Sequence, residues 1–470
     1  MDSSEPLPFI EHTSSLCPVC RASTPAEIRE EAGKIWLTSV CPQHGGNKSL
    51  LAGDAAEYKR LRLYTSARMG MPGGCCGAGE TCEDGPPVCV LLLEITLACN
   101  LQCPTCFADA HGHNFMTIEE IRGRLDAFFK TANRLDLLML SGGEPTIHPQ
   151  FLDILALALT YPIGRILINT NGLRVAQSAA IADGIAAHRD RTELFLSFSS
   201  FQPAVHERLY GKVLLTEKMA ALEQAHARGI FTTLAPVIEK GINDNEIGDL
   251  YRFALTMDNI NGLNFQPVMS SGRYLHGSEY KPAERMTLTD VLHALEAQTG
   301  GALQLSDFVA LPCSHPDCCA ITYGFLDAKR TVMQPLPRHL DVGRYLDMFS
   351  DRISFAGLIS SATRRVWSDV THLRARQTLK DLALLYREGG VKELMTLLGN
   401  PEQAGKRIFR IVVKPFMDVH TYDAARTTQC CTKILLEDGQ AVSFCEYNVL
   451  HRARRQRTVA IPLSVAKQGG

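Results

Sequence analysis

From residue 90 to about residue 267, apolar runs and amphipathic stretches take turns along the chain. The runs are VLLLEIT from Val90, LDLLML from Leu135, RILIN from Arg165, ELFLSF from Glu193, IFTTLAPVI from Ile230 and INGLNFQPV from Ile260. Each is nearly continuous in apolar residues, the pattern of a strand covered on both faces, whereas a half-exposed strand would alternate. The segments between them have helical character, and TIEE (Thr117 to Glu120) carries the capping-box signature of a helix start. Strand-plus-helix units in such succession predict an α/β fold with a parallel sheet, curved into a partial (β/α)6 barrel of the TIM type. Reactive groups in such a barrel gather at the carboxyl ends of the strands. Small polar segments fall there: SGGEP (Ser141 to Pro145) after the second strand, NTNG (Asn169 to Gly172) after the third and SFSS (Ser197 to Ser200) after the fourth.

The rhythm is lost on either side. Residues 1–65 hold CPVC and CPQHGG around a strand-like KIWLTSV. So short a segment buries little apolar surface, so a small metal-stapled ribbon is expected. Residues 66–89, rich in Gly, Pro and Cys, read as a linker that contributes metal ligands. The barrel is expected over 90–300 and a further cysteine-bearing domain over 301–470. In the latter, apolar residues at Leu379, Leu382, Leu385, Val391, Leu394 and Leu397 predict a helix pair packed on the barrel, with a lipid-facing groove as the second reading.

With 48 basic and 50 acidic residues and a net charge of −2, the chain lacks the electrostatics of a nucleic-acid binder, and a small or uncharged partner is expected. The opening MDSSEPLPFIEH does not resemble a secretory signal, and no apolar run reaches the roughly 18 residues of a spanning helix. A cytoplasmic protein is therefore expected, with peripheral membrane contact at most. Its 16 cysteines then point to metal binding rather than to disulfides.

One cysteine segment, EITLACNLQCPTCFADA, follows the first barrel strand directly. Cys99, Cys103 and Cys106 offer three thiolates from one loop, and a [4Fe–4S] cubane normally takes four, which leaves one iron open to a small bidentate ligand. With GGEP at the end of the next strand, this segment resembles the radical S-adenosylmethionine (radical SAM) superfamily. The resemblance implies a [4Fe–4S] cluster on these three cysteines and bound SAM. It further implies SAM contacts from Gly142, Gly143 and Glu144, with the carboxylate receiving the cationic amine, and from Asn171 and Ser197. Thr105 stands where many relatives carry an aromatic residue, and Phe107 is the expected cover for the adenine.

Beyond the barrel, SLCPVC, VCPQHGG, NFQPVMSSGR, PCSHPDCC, the Cys430-Cys431 pair and FCEYN follow in the order of a radical SAM group that includes archaeal tetraether lipid synthases and radical pterin methylases. That resemblance implies a rubredoxin-like mononuclear Fe or Zn site on Cys17, Cys20 and Cys41 with His44 or another cysteine, and two auxiliary [4Fe–4S] clusters. Cys75, Cys76, Cys82 and Cys89 are the candidates for one cluster. Cys313, Cys318, Cys431 and Cys445 are those for the other, with Cys430 as the alternative to Cys431 and Cys319 as a spare thiol. It also implies an external electron donor of the flavodoxin or ferredoxin type. The expected reaction is hydrogen abstraction by a 5′-deoxyadenosyl radical and C–C bond formation on a lipid alkyl chain. The alternative is methylation or alkylation of a pterin-like small molecule. Where the synthases are expected to carry an acid and a glycine, this chain has Ser199 and Ser200, a change expected to face the site and alter the substrate. The basic tail, His451 to Arg457, is expected to be solvated, with contact to lipid phosphates as the second reading.

Overall fold

The computed structural model describes residues 9–66, 88–110, 112–276, 280–311, 314–327, 329–338 and 407–452. The chain begins with an antiparallel ribbon of β1 (Phe9–Leu16), β2 (Ser23–Glu31), β3 (Lys34–Cys41) and β4 (Gly45–Ala52), hydrogen-bonded in sequence order. Its alternating inward residues, Ile28 on β2 and Ile35 and Leu37 on β3, meet Ala55 and Tyr58 of the helix Ala55–Ser66 in a small core of their own.

Every apolar run of the barrel segment forms a strand. β5 (Val90–Thr96), β6 (Leu135–Gly142), β7 (Ile163–Thr170), β8 (Thr192–Leu196) and β9 (Thr232–Leu234) pair in parallel, and β11 (Ile260–Pro267) follows β9, with the two-residue β10 (Val237–Ile238) also on β11. The strands are two-sided. Leu91, Leu93 and Ile95 face Ile121 and Leu125 of the helix Ile118–Phe129, which opens with the predicted capping box at Thr117. Val90, Leu92, Leu137, Met139, Leu167 and Phe195 face the other way and line the barrel interior.

The C-terminal region does not form a separate layer. It supplies β12 (Val309–Ala310), β13 (Ala320–Leu326), β14 (Met333–Pro335), β15 (Ile408–Val413), β16 (Thr432–Leu435) and β17 (Ala441–Ser443). β15 pairs in parallel with β11 at one edge of the arc, and β16 pairs in parallel with β5 at the other. An open six-stranded arc leaves two rows of unsatisfied backbone groups, and these strands satisfy both. The sheet therefore runs through the division expected near residue 300. Residues 414–431 run from the end of β15 to the start of β16.

The helix pair expected at 379–398 lies outside the described residues, as do residues 453–457 of the basic tail. Arg452, one of the two described residues of that tail, departs from the solvated expectation. It is 4% exposed and bonds to Glu94 Oε1 at 2.5 Å and Asn448 Oδ1 at 2.7 Å, because β16 and the turn after it lay this segment against β5. Among the described residues, no helix is long and apolar enough to cross a membrane.

Candidate active site and metal centres

The loop carrying Cys99, Cys103 and Cys106 leaves β5 at its carboxyl end, as expected, and is clamped from a distant part of the chain. The Arg273 guanidinium donates to Cys103 O at 2.9 Å and Ala110 O at 3.0 Å and meets Asp109 Oδ1 at 3.2 Å, while its backbone N–H donates to Cys106 O at 2.9 Å. This approach needs the preceding Gly272, with φ +56°, because a Cβ there would lie 2.3 Å from Phe107 O. Burial pushes the Cys99 thiol up to about 11 and the Cys103 thiol up to about 12, so thiolates at these positions call for a cationic partner such as iron.

The GGEP segment packs directly on that loop. Gly143 N donates to Thr96 O at 2.8 Å and Glu144 N to Ala98 O at 2.9 Å. A Cβ on Gly142 would stand 2.0 Å from Thr96 O, and one on Gly143 would stand 2.0 Å from Ala98 O. Glu144 is 1% exposed, and burial raises its carboxyl above the ordinary range. Its Oε1 accepts from Thr146 N, Thr146 Oγ1 and Thr170 Oγ1 at 3.1, 2.5 and 2.8 Å, and its Oε2 accepts from Asn171 N at 2.7 Å. The carboxylate thus braces the second strand end against the third, and the remaining lone pair on Oε2 is what it has left for a cationic amine.

Asn171 and Ser197 both sit in this basin. Asn171 Nδ2 donates to Asn100 Oδ1 at 2.7 Å, which ties the third strand end to the cysteine loop. Ser197 Oγ is 3.0 Å from Lys218 Nζ, which also donates to the Ser197 carbonyl and lies 4.2 Å from the centre of the Tyr210 ring. Lys218 is fully buried, and burial lowers its ammonium to about 8. The sequence reading missed it, although its position was a signal. With Ala221, Leu222 and Ala225 it lies on the buried stripe of the helix Leu215–Ala227, where a lysine is out of place unless it has partners inside.

The geometry also places Ser199, Ser200 and Phe107. Ser199 and Ser200 are fully buried and serve the fold: Ser199 Oγ accepts from Tyr210 OH at 2.7 Å, and Ser200 Oγ donates to Glu246 Oε1 at 2.5 Å. Both hydroxyls are taken up by these internal partners, so neither replaces the acid that the synthases are expected to carry. Phe107 packs edge-on against Phe444 of the FCEYN segment with centroids 5.3 Å apart, on the interior side of the cysteine loop.

At the ribbon end, Cys17, Cys20, Cys41 and His44 bring one ligand atom each to within 4.8 Å of one another. His44 Nδ1 lies 3.6 Å from Cys17 Sγ and 3.5 Å from Cys41 Sγ, and the sulfurs of Cys20 and Cys41 are 3.9 Å apart. A tetrahedral ion with Zn–S of about 2.3 Å and Zn–N of about 2.0 Å sets S···S edges of about 3.8 Å and S···N edges of about 3.6 Å. The three separations given match those edges, and the remaining ones lie within 4.8 Å. The backbone N–H of Cys20, aimed at Cys17, lowers that thiol to about 6, the direction a metal ligand needs.

The C-terminal cysteines form two neighbouring groups. Burial, then the nearby thiols of Cys430 and Cys318, push Cys445 up to about 12, while Arg426 Nε donates to Cys318 Sγ at 3.4 Å. Burial likewise takes Cys319 to about 12; Lys414 opposes the rise and the thiol of Cys431 adds to it. Cys89 joins the second group through its N–H, which donates to Cys431 O at 2.9 Å, and its buried thiol lines the same interior core. Successive side chains of an extended chain point to opposite faces, so the members of each doublet have different surroundings. Cys319 has thiol neighbours in Cys431 and Cys318, and Cys430 has them in Cys318 and Cys431. Cys75, Cys76, Cys82 and Cys313 lie outside the described residues.

Comparisons with known proteins agree with this arrangement. Residues 93–254 match the Radical SAM superfamily, and residues 9–53 match the HMPTM N-terminal zinc ribbon domain. The chain is 26% identical to the 7,8-dihydro-6-hydroxymethylpterin dimethyltransferase of Methanocaldococcus jannaschii over an alignment covering 97% of both chains. It is 31% identical to a probable GTP 3′,8-cyclase of Pyrococcus horikoshii over 36% of this chain and 53% of that protein. Among solved structures, Streptococcus suis SuiB bound to S-adenosylmethionine aligns with a TM-score of 0.37 and 17% identity, covering 46% of this chain and 47% of that one. The chain is an enzyme that carries a Radical SAM superfamily domain at residues 93–254 behind an N-terminal zinc-ribbon domain.

Proposed function

We propose that this enzyme methylates or alkylates a pterin-like heterocycle. The observation that carries the reading is the alignment over 97% of both chains with a pterin dimethyltransferase, which takes in ribbon, barrel and C-terminal strands alike. It favours the alternative over the lipid reading, and Arg452, one arginine of the basic tail, is turned inward to Glu94.

Cys99, Cys103 and Cys106 hold the [4Fe–4S] cluster, and Gly142, Gly143, Asn171 and Ser197 form the SAM basin. When bound, the cluster supplies the electron that splits the SAM sulfonium and so yields a hydrogen acceptor strong enough for an unactivated C–H. The chain's own residues do the positioning. Arg273 fixes the cysteine loop, Glu144 locks the second strand end to the third, and Lys218 places a buried positive charge beside Ser197. The interior keeps water from the reacting carbon. His44 completes a zinc site with the ribbon cysteines. Of the two C-terminal groups, Cys318, Cys430 and Cys445 serve one auxiliary cluster, and Cys89, Cys319 and Cys431 serve the other.

The test is anaerobic incubation of the iron-loaded enzyme with SAM as radical precursor, a one-carbon donor such as a second equivalent of SAM, excess reductant and 7,8-dihydro-6-hydroxymethylpterin. Formation of 5′-deoxyadenosine together with a pterin gaining 14 or 28 mass units, about one or two methylenes, is the expected result. Deoxyadenosine with unchanged pterin, alongside hydrogen loss from a lipid chain, would restore the other reading. The auxiliary assignment is checked separately: Cys319→Ala and Cys430→Ala should each remove about four irons, and the double variant about eight.

A further inference from the structure

Directly beneath the SAM basin, the barrel interior carries a row of polar groups. Glu94 on β5 stands opposite Ser141 on β6, and Asn169 on β7 reaches Ser141 through an Nδ2 to Oγ hydrogen bond of 2.9 Å. Strand alternation fixes where these residues point. Their neighbours Leu93, Ile95, Leu140 and Ile168 belong to the helix-covered core, so all three polar side chains face inward. Two residues deeper, Leu92, Met139 and Leu167 make an apolar floor in the same register.

The row has donors and acceptors on both sides. Arg452 donates to both carboxylate oxygens, Nη2 to Glu94 Oε1 at 2.5 Å and Nη1 to Oε2 at 3.4 Å, and Tyr447 OH donates to Oε2 at 3.4 Å, which leaves each oxygen a further lone pair. From the far end of the arc, Asn264 on β11 faces the interior between Leu263 and Phe265, which belong to the opposite core. Its Oδ1 is buried and has no hydrogen-bond partner among the described residues. A buried amide oxygen left unpaired costs stability unless a ligand supplies the donor. Glu94 and Asn169, although inside the barrel, are only partly buried, so they face space rather than packed side chains.

We infer that Glu94, Ser141, Asn169 and Asn264, with Arg452 behind Glu94, form the site that reads the 2-amino-4-oxopyrimidine edge of the substrate. This rests on the pterin reading above and adds how the ring is recognised. That edge presents two neighbouring N–H donors, the 2-amino group and N3–H, beside a carbonyl acceptor. A carboxylate takes the donor pair in parallel hydrogen bonds, and Arg452 and Asn169 supply donors for the acceptors next to it. The flat ring lies on the floor of Leu92, Met139 and Leu167 and below the SAM basin. A lipid chain has no use for such a row.

Binding to the iron-loaded enzyme, measured anaerobically by quenching of pteridine fluorescence, tests this with two probes. They are 6-hydroxymethylpterin and 6-hydroxymethyllumazine, in which the 2-amino donor is replaced by a carbonyl acceptor. The wild type should bind the pterin at least tenfold more tightly, and Glu94→Gln should abolish or reverse that preference. Asn169→Ala should weaken the pterin severalfold without disturbing the Glu94 to Arg452 pair, which guards against a folding defect in the Glu94 variant. Pterin preference that survives both substitutions would overturn the inference and leave the pterin reading standing. A wild type that binds neither probe would overturn both.

Discussion

Single residues at the strand ends decide whether the site can form. Gly143 and Gly272 admit backbone where any side chain would collide with a carbonyl, so Gly143→Ala should cost about 2 kcal/mol or more and lower the iron bound per chain. Thermal melting and iron analysis of the variant check both effects. Lys218 gives a pH signature. Burial lowers its ammonium to about 8 from an ordinary 10.5, so the folded chain binds fewer protons than the unfolded chain between those values. Stability should therefore rise through that window by an increment approaching one proton, and Lys218→Met should lack it. Denaturant titrations at pH 7.5 and 9.5 would show the difference. The three barrel cysteines and GGEP were legible because their spacing within the chain is the signal. Arg273 was not, because its partners lie more than 160 positions away and nothing near it announces them.

Strands and helices were legible where their apolar runs were long. Every predicted barrel strand appears, and TIEE caps its helix as expected. Short strands were not. β16 has four residues and pairs with β5, more than 330 positions earlier, so neither length nor proximity marks it. The ribbon shows the other way an element becomes legible, since its paired knuckles stood out as a metal staple. Ligation by zinc is coupled to the folding of so small a core. Stripping the metal, or Cys41→Ser, should open the amides of residues 9–53 to hydrogen exchange while β5 to β8 stay protected. Exchange followed by mass spectrometry tests this; equal loosening of the barrel would refute it. The ribbon is also docked, through Gly53 N to Thr289 Oγ1 at 2.9 Å and Tyr58 OH to Asp317 Oδ2 at 2.7 Å, so some local rise beside Cys318 is expected.

Over the whole molecule, the C-terminal strands cover both edges of the barrel, and this was the part least legible in the sequence. The expected division near residue 300 followed the loss of the strand-helix rhythm, whereas the sheet continues through strands supplied from residues 408–413 and 432–435. Ile434→Asp would put a carboxylate at a position 2% exposed within the interior core. It should cost about 3 kcal/mol or more and release β16. Limited proteolysis should then cut within 414–431, where the wild type resists. Wild-type-like resistance in that variant would mean β16 contributes little to closing the arc.

The join between those two edges has a mechanical corollary. Residues 414–431 act as a drawstring across the mouth of a curved wall, with the Cys430-Cys431 pair knotted at one end. The knot is tied to the first barrel strand, since the N–H groups of Cys89 and Val90 both donate to Cys431 O, at 2.9 and 3.1 Å. Oxidation of a sulfur there would therefore be felt first where β16 lies along β5, on the strand that carries Glu94.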